Sequence, residues 1–149
     1  MVRTRLDLQS RDLSDAISGT TAQKQRRICL EVCKLVVDRT ALTDATIAGA
    51  LALLVEGQYD EPGAVQALGR LGEDLDTKYF EAQELHQSGK QGPEIYRLLF
   101  SQARAANAVQ FGFDKDPFKA AAGAAYEAGS AIGFADVEAV VRSVLAESS

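Results

Sequence analysis

The residues best equipped for chemistry fall in one run, EDLDTKYFEAQELH, from Glu73 to His86. It holds Glu73, Asp74, Asp76, Glu81 and Glu84 together with His86, the only histidine in the chain. Carboxylates beside an imidazole can activate water on a divalent cation or move protons in a hydrolytic step. A di-iron bundle needs Glu-x-x-His on two helices. Here the residue three before His86 is Gln83, and there is no second histidine. A carboxylate-only Mg²⁺ site asks for fewer protein ligands. Against it, Arg70–Asp74 and Asp74–Lys78 are spaced i, i+4, the pattern of a solvated helix face. No catalytic set is complete, and no cofactor or metal is called for.

Other candidates are thinner. Cys29 and Cys33 sit one helical turn apart within a strongly apolar run, which suits small core residues rather than a disulfide. Lys24, Arg26 and Arg27 form a basic cluster that could hold a phosphate, but it lacks the interleaved aromatics of a nucleic-acid surface. GRLG at 69–72 has neither Walker lysine spacing nor a preceding strand. Tyr59, Tyr79, Tyr96 and Tyr126 are each either an interface anchor or an ordinary boundary residue.

The 149 residues are 46% hydrophobic and 25% charged, an ordinary composition for one globular domain. The net charge of −5 makes non-specific attraction to nucleic acid or anionic lipid unfavourable. Residues 1–40 hold eight Lys/Arg against five Asp/Glu, so the remainder carries the acidity. No apolar run of signal-peptide or membrane-spanning length is present. The expectation is a reduced, cytoplasmic protein with no membrane partner.

The elements that must position these residues read as helices. ICLEVCKLVV, Ile28 to Val37, is apolar except for Glu31 and Lys34, so a helix over about 22–39 should be wrapped on nearly all sides. Residues 1–19 are poorly readable, with a short helix from Ser10 to Gly19. Thr20 or Thr21 caps the central helix. A second helix starts at Thr43, with Ile47, Ala50, Leu51 and Leu54 inward, and stops at Gly57. Pro62 opens a third, with a seam of Val65, Leu68, Gly72, Leu75, Tyr79 and Ala82; Gly69 and Gly72 mark either a break or a close crossing. Pro93 opens a fourth, with Ile95, Leu98, Leu99, Ala106 and Val109 inward, and Phe111 and Phe113 plug its end. Asp116 and Pro117 start an Ala-rich helix that Lys119 and Glu127 keep soluble. A last helix, about 135–146, turns Val137, Val140, Val141, Val144 and Leu145 inward. No alternating β pattern occurs. The prediction is an all-α, single-domain bundle of six or seven helices over residues 1–149.

Two resemblances follow from these segments. ALLVEGQYDEPGAVQAL resembles the helical hairpin of a tetratricopeptide repeat, although the pattern does not recur one period later. The layout as a whole, RRICLEVCKLVVDRT with TDATIAGALALLVEG and the Ala-rich ARAANAV and AAAGAAYEA, is similar to small helical immunity proteins of bacterial toxin systems. That resemblance implies a protein that neutralises a cognate enzyme by binding it, and it assigns no contact residue. An acidic surface would suit a nucleic-acid-degrading toxin with a basic active site.

The function expected is therefore non-enzymatic protein binding. Residues 56–84 carry eight acidic and two basic side chains, and Glu73, Asp76, Glu81 and Glu84 are the candidate contact face. The alternatives are a small carboxylate- or metal-dependent hydrolase and a homodimer built on the Ala-rich helices. Oligomeric state is open.

Overall fold

A computed structural model describes residues 2–147, and among them every regular element is α-helical. The eight helices are α1 (Arg5–Gln9), α2 (Arg11–Ser18), α3 (Ala22–Arg39), α4 (Ala45–Val55), α5 (Pro62–Gln87), α6 (Pro93–Phe111), α7 (Pro117–Ile132) and α8 (Phe134–Ala146). The N-terminal segment contributes two short helices rather than one, which raises the number to eight.

Local chemistry sets the starts. Ser10, Thr21 and Asp116 each accept a backbone N–H of the following turn, the bond an N-cap supplies. For α4 the cap is Asp44, which accepts from the Thr46 N–H, one residue later than Thr43. Helix α1 has no side-chain cap. It is tied down by Asp7, which accepts from the Arg3 backbone N–H and the Ser14 hydroxyl, while Arg3 reaches Asp15 at 2.7 Å. Those bonds hold the Asp7 carboxyl well below the usual carboxylate range.

Every helix sends side chains into one apolar core. Helix α3 packs against α4, α6, α7 and α8, with Ile28, Val32, Cys33 and Val36 sealed from solvent. Leu30 and Leu35, on its outer edge, are only half-buried. Helix α7 is enclosed further: nine of its sixteen residues are buried, and α1, α2, α3, α6 and α8 surround it. The centre is thus a pair, α3 with α7. Small side chains make this close approach possible, and they leave the Ala-rich face no free surface for a homodimer seam.

Two thiols lie at these contacts. Cys29 Sγ faces the Ala120 carbonyl and Cys33 Sγ the Ala108 carbonyl, each at 3.4 Å. The hydrogen bond with Cys29, together with burial, pushes the Cys33 thiol up, so it stays protonated and inert. Both cysteines are free.

Helix α5 runs unbroken for 26 residues. A Cβ on Gly72 would lie 3.1 Å from Asn107 Oδ1, and one on Gly69 would lie 3.3 Å from Gln110 Nε2. The glycines therefore mark a close crossing of α5 with α6. Gly72→Leu should separate the two helices and cost about 1–3 kcal/mol, read as a lower urea midpoint.

The Ala-rich helix departs from expectation at one charge. Lys119 is exposed, but Glu127 is only 5% exposed and faces Arg104 of α6 across 3.8 Å. It is a core carboxylate rather than a solubilising one. No helix of the described residues is long and apolar enough to cross a membrane.

Candidate protein-docking surface

The acidic run lies on the outer half of the α5–α6 hairpin. The α5 seam of Leu68, Gly72, Leu75, Tyr79 and Ala82 recurs every three or four residues, so one stripe faces α6 along the whole length. Its first half is covered by α4 and α6. From Asp76 through the turn to Gln102, only Ala82 is buried. The root of this arm is fixed where Ser101 Oγ donates to the Ala131 carbonyl and Gln102 Nε2 to the Thr40 carbonyl, both at 3.0 Å.

The tip closes by helix-end chemistry. Gly89 adopts φ +74°, and the Lys90 N–H returns to the Leu85 carbonyl at 2.9 Å, a glycine-dependent C-terminal stop. His86 Nδ1 lies 2.9 Å from the Gln91 carbonyl; a carbonyl can only accept, so Nδ1 carries the proton. The only histidine is thus a turn-closing residue at the rim.

Rings join the two helices where no third element covers them. His86 meets Tyr96 at 5.2 Å, Tyr96 meets Tyr79 at 6.1 Å, and Tyr79 meets Phe100 at 5.7 Å and Phe80 at 5.1 Å between centroids. Each such pair contributes about 0.5–1.5 kcal/mol beyond burial.

The same arm leaves large apolar side chains in water. Phe80 is 60% exposed, Leu98 47%, Ile95 45% and Leu85 40%. Ile95 and Leu98 were expected to face inward. They do continue the stripe that buries Ala106 and Val109, but α6 has by then run past the body, so no neighbour meets them.

Glu73, Asp76, Phe80 and Glu84 are spaced i, i+3, i+7, i+11 and share one flank of α5, with Phe80 in its middle. Glu81 is turned about 100° from Phe80 around the helix axis. Glu73, Glu81 and Glu84 are exposed, while Asp76 is half-buried and pairs with Arg104 at 3.4 Å. Among the described residues no three His, Cys, Asp or Glu converge to hold a metal ion. The sequence missed Arg104, which stands between Asp76 and Glu127 with Phe100 under its guanidinium.

The basic cluster at the start of α3 is engaged inside the fold. Lys24 Nζ donates to the Leu145 and Glu147 carbonyls, Arg26 to those of Gly112 and Lys115, and Arg27 to the Glu147 carboxylate. These cations sit at the C-terminal ends of α6 and α8, where the helix dipole is negative. They brace helix ends rather than present a phosphate site.

No family model, curated protein or solved structure matches the chain. What the arm can do follows from its chemistry. Exposed aromatic and aliphatic side chains inside an acidic surround are the makings of a protein contact. Phe80→Ala should leave the melting temperature almost unchanged, within about 0.5 kcal/mol, because its ring is largely solvated already.

Proposed function

We propose that the chain is a non-enzymatic protein-binding module that docks its partner through the outer half of the α5–α6 hairpin. The observation that carries this reading is the stretch from Asp76 to Gln102, where a single residue is buried while Phe80, Leu85, Ile95 and Leu98 stand exposed. Glu73, Glu81 and Glu84 add negative charge around them. The partner that fits has an apolar centre ringed by lysine and arginine, which the carboxylates would steer and orient. An immunity-type inhibitor, covering the basic active site of a nucleic-acid-degrading toxin in the cytoplasm, is the specific form of this reading. A hydrolase would need the carboxylates and His86 around one pocket. They stand on exposed faces, and His86 is held by Gln91 and Tyr96.

The test is affinity capture from the native host with wild-type protein and with the Phe80→Ala/Glu84→Lys variant. Wild type should recover a stoichiometric partner, in amounts that fall with added salt. The variant should melt like wild type and recover little. Absence of any stoichiometric partner, or equal recovery by the variant, overturns the reading.

A further inference from the structure

A cavity of about 430 Å³ opens between the C-terminal half of α6, α7 and the N-terminal residues Thr4 and Arg5. That is the size of a small-molecule site. Lys119, Gly123 and Glu127 are spaced i, i+4, i+8 along α7 and line it, with exposed Lys119 at the mouth and buried Glu127 at the floor. Gly123 has no Cβ, so the Phe111 ring lies against the α7 backbone there and forms one wall. Tyr126 lines the cavity as well.

The polar atoms are unevenly satisfied. Glu127 Oε2 is buried without a hydrogen-bond partner, and so is Thr4 Oγ1. The nearest cation, Arg104 Nη1, is 3.8 Å from that carboxylate oxygen, beyond hydrogen-bond reach. Buried polar atoms without a partner are rare in folded proteins and costly, so a donor belongs at this point. At the mouth, Arg5 stacks over the Tyr126 ring at 5.9 Å rather than on a carboxylate. The cavity therefore offers an acceptor at depth, cations at the rim and aromatic walls between.

We propose that this cavity binds a small zwitterion of the amino-acid type, its ammonium donating to Glu127 Oε2 and its carboxylate facing Arg5 and Lys119. The ligand's side chain lies along Phe111 and Tyr126. A metal ion is the poorer fit, since a hard cation takes six or more oxygens and the floor supplies one carboxylate. A simple anion would meet Glu127, and an amine without a carboxylate would meet Arg5 and Lys119. The site is separate from the hairpin surface and does not depend on its role.

Isothermal titration of the full chain with each proteinogenic L-amino acid tests this. At least one should bind saturably at millimolar concentration, about tenfold or more tighter than its decarboxylated amine and its deaminated acid. Glu127→Gln should weaken that binding at least about tenfold, and Arg5→Ala and Lys119→Ala should each weaken it measurably. If Glu127→Gln does not fold, the two variants at the exposed mouth carry the test. No saturable amino acid, half-analogues that bind as tightly as the zwitterion, or mouth variants that bind like wild type would each overturn the proposal.

Discussion

Truncating Ile28 to alanine is expected to lower the free energy of unfolding by about 2–5 kcal/mol. Ile28 is fully buried on α3 and shares its stripe with Val32 and Val36, directed at the junction of α3 with α7. The cost should lie in the upper half of that range. The α7 side chains around the junction are mostly alanines with no rotamers, so they cannot swing in to refill the space. Leu35 is the internal control. It is half-buried beside a surface groove, and Leu35→Ala should cost about 1 kcal/mol. Urea unfolding with unchanged slope reads both. Equal losses at the two positions would mean that α3 is not enclosed on the α7 side.

How far the sequence foretells this arrangement depends on whether the decisive chemistry is local. The starts at Ser10, Thr21 and Asp116 are legible because a cap acts within three residues. Thr43 and Asp44 both have cap chemistry, and the choice between them turns on which oxygen reaches the Thr46 N–H. Helix α1 is a five-residue turn too short to hold itself. Its stability comes from Arg3, Asp7 and Ser14 meeting across the chain, and no local pattern announces that. The second central helix was hidden for another reason. Alanine barely registers in a pattern of large apolar residues, yet small side chains let α7 sit at the middle of the stack. The hairpin arm shows a third limit. Periodicity places Ile95 and Leu98 on the same face as Ala106 and Val109, but it cannot say where along α6 the neighbouring helices stop.

The candidate surface was legible as an acidic run, and its apolar centre was not. Phe80 falls among carboxylates, and nothing local distinguishes it from a core aromatic until the body is seen to end before it. The arm also has few buried contacts, the condition under which a segment opens without global unfolding. That combination of a rigid paired core and a thinly covered hairpin lets a partner adjust the arm without disturbing α3 and α7.

Arg104→Ala should destabilise the protein by an amount that grows with pH, reaching about 3 kcal/mol in mildly alkaline solution. Burial pushes the Glu127 carboxyl up from its ordinary value, and Arg104 and Arg5 oppose that shift. With its folded value above its unfolded one, Glu127 keeps a proton in the native state that the unfolded chain has lost. Stability therefore declines as pH rises from the ordinary glutamate range through the folded value, and is level above it. Removing Arg104 takes away one of the charges that favour the carboxylate, so the folded value climbs and the decline continues to higher pH. Near pH 4 both proteins hold Glu127 protonated, and the difference should shrink to what Arg104 contributes through Asp76 and the Phe100 ring. Adding Glu127→Gln to Arg104→Ala should restore much of the loss at high pH, since no buried charge is then left without its partner. Urea midpoints of wild type, both single variants and the double variant, taken from pH 4 to pH 8, give the coupling directly. A loss that does not vary with pH, or one that Glu127→Gln fails to relieve, would show that Arg104 acts through packing and Asp76 rather than through the buried carboxylate.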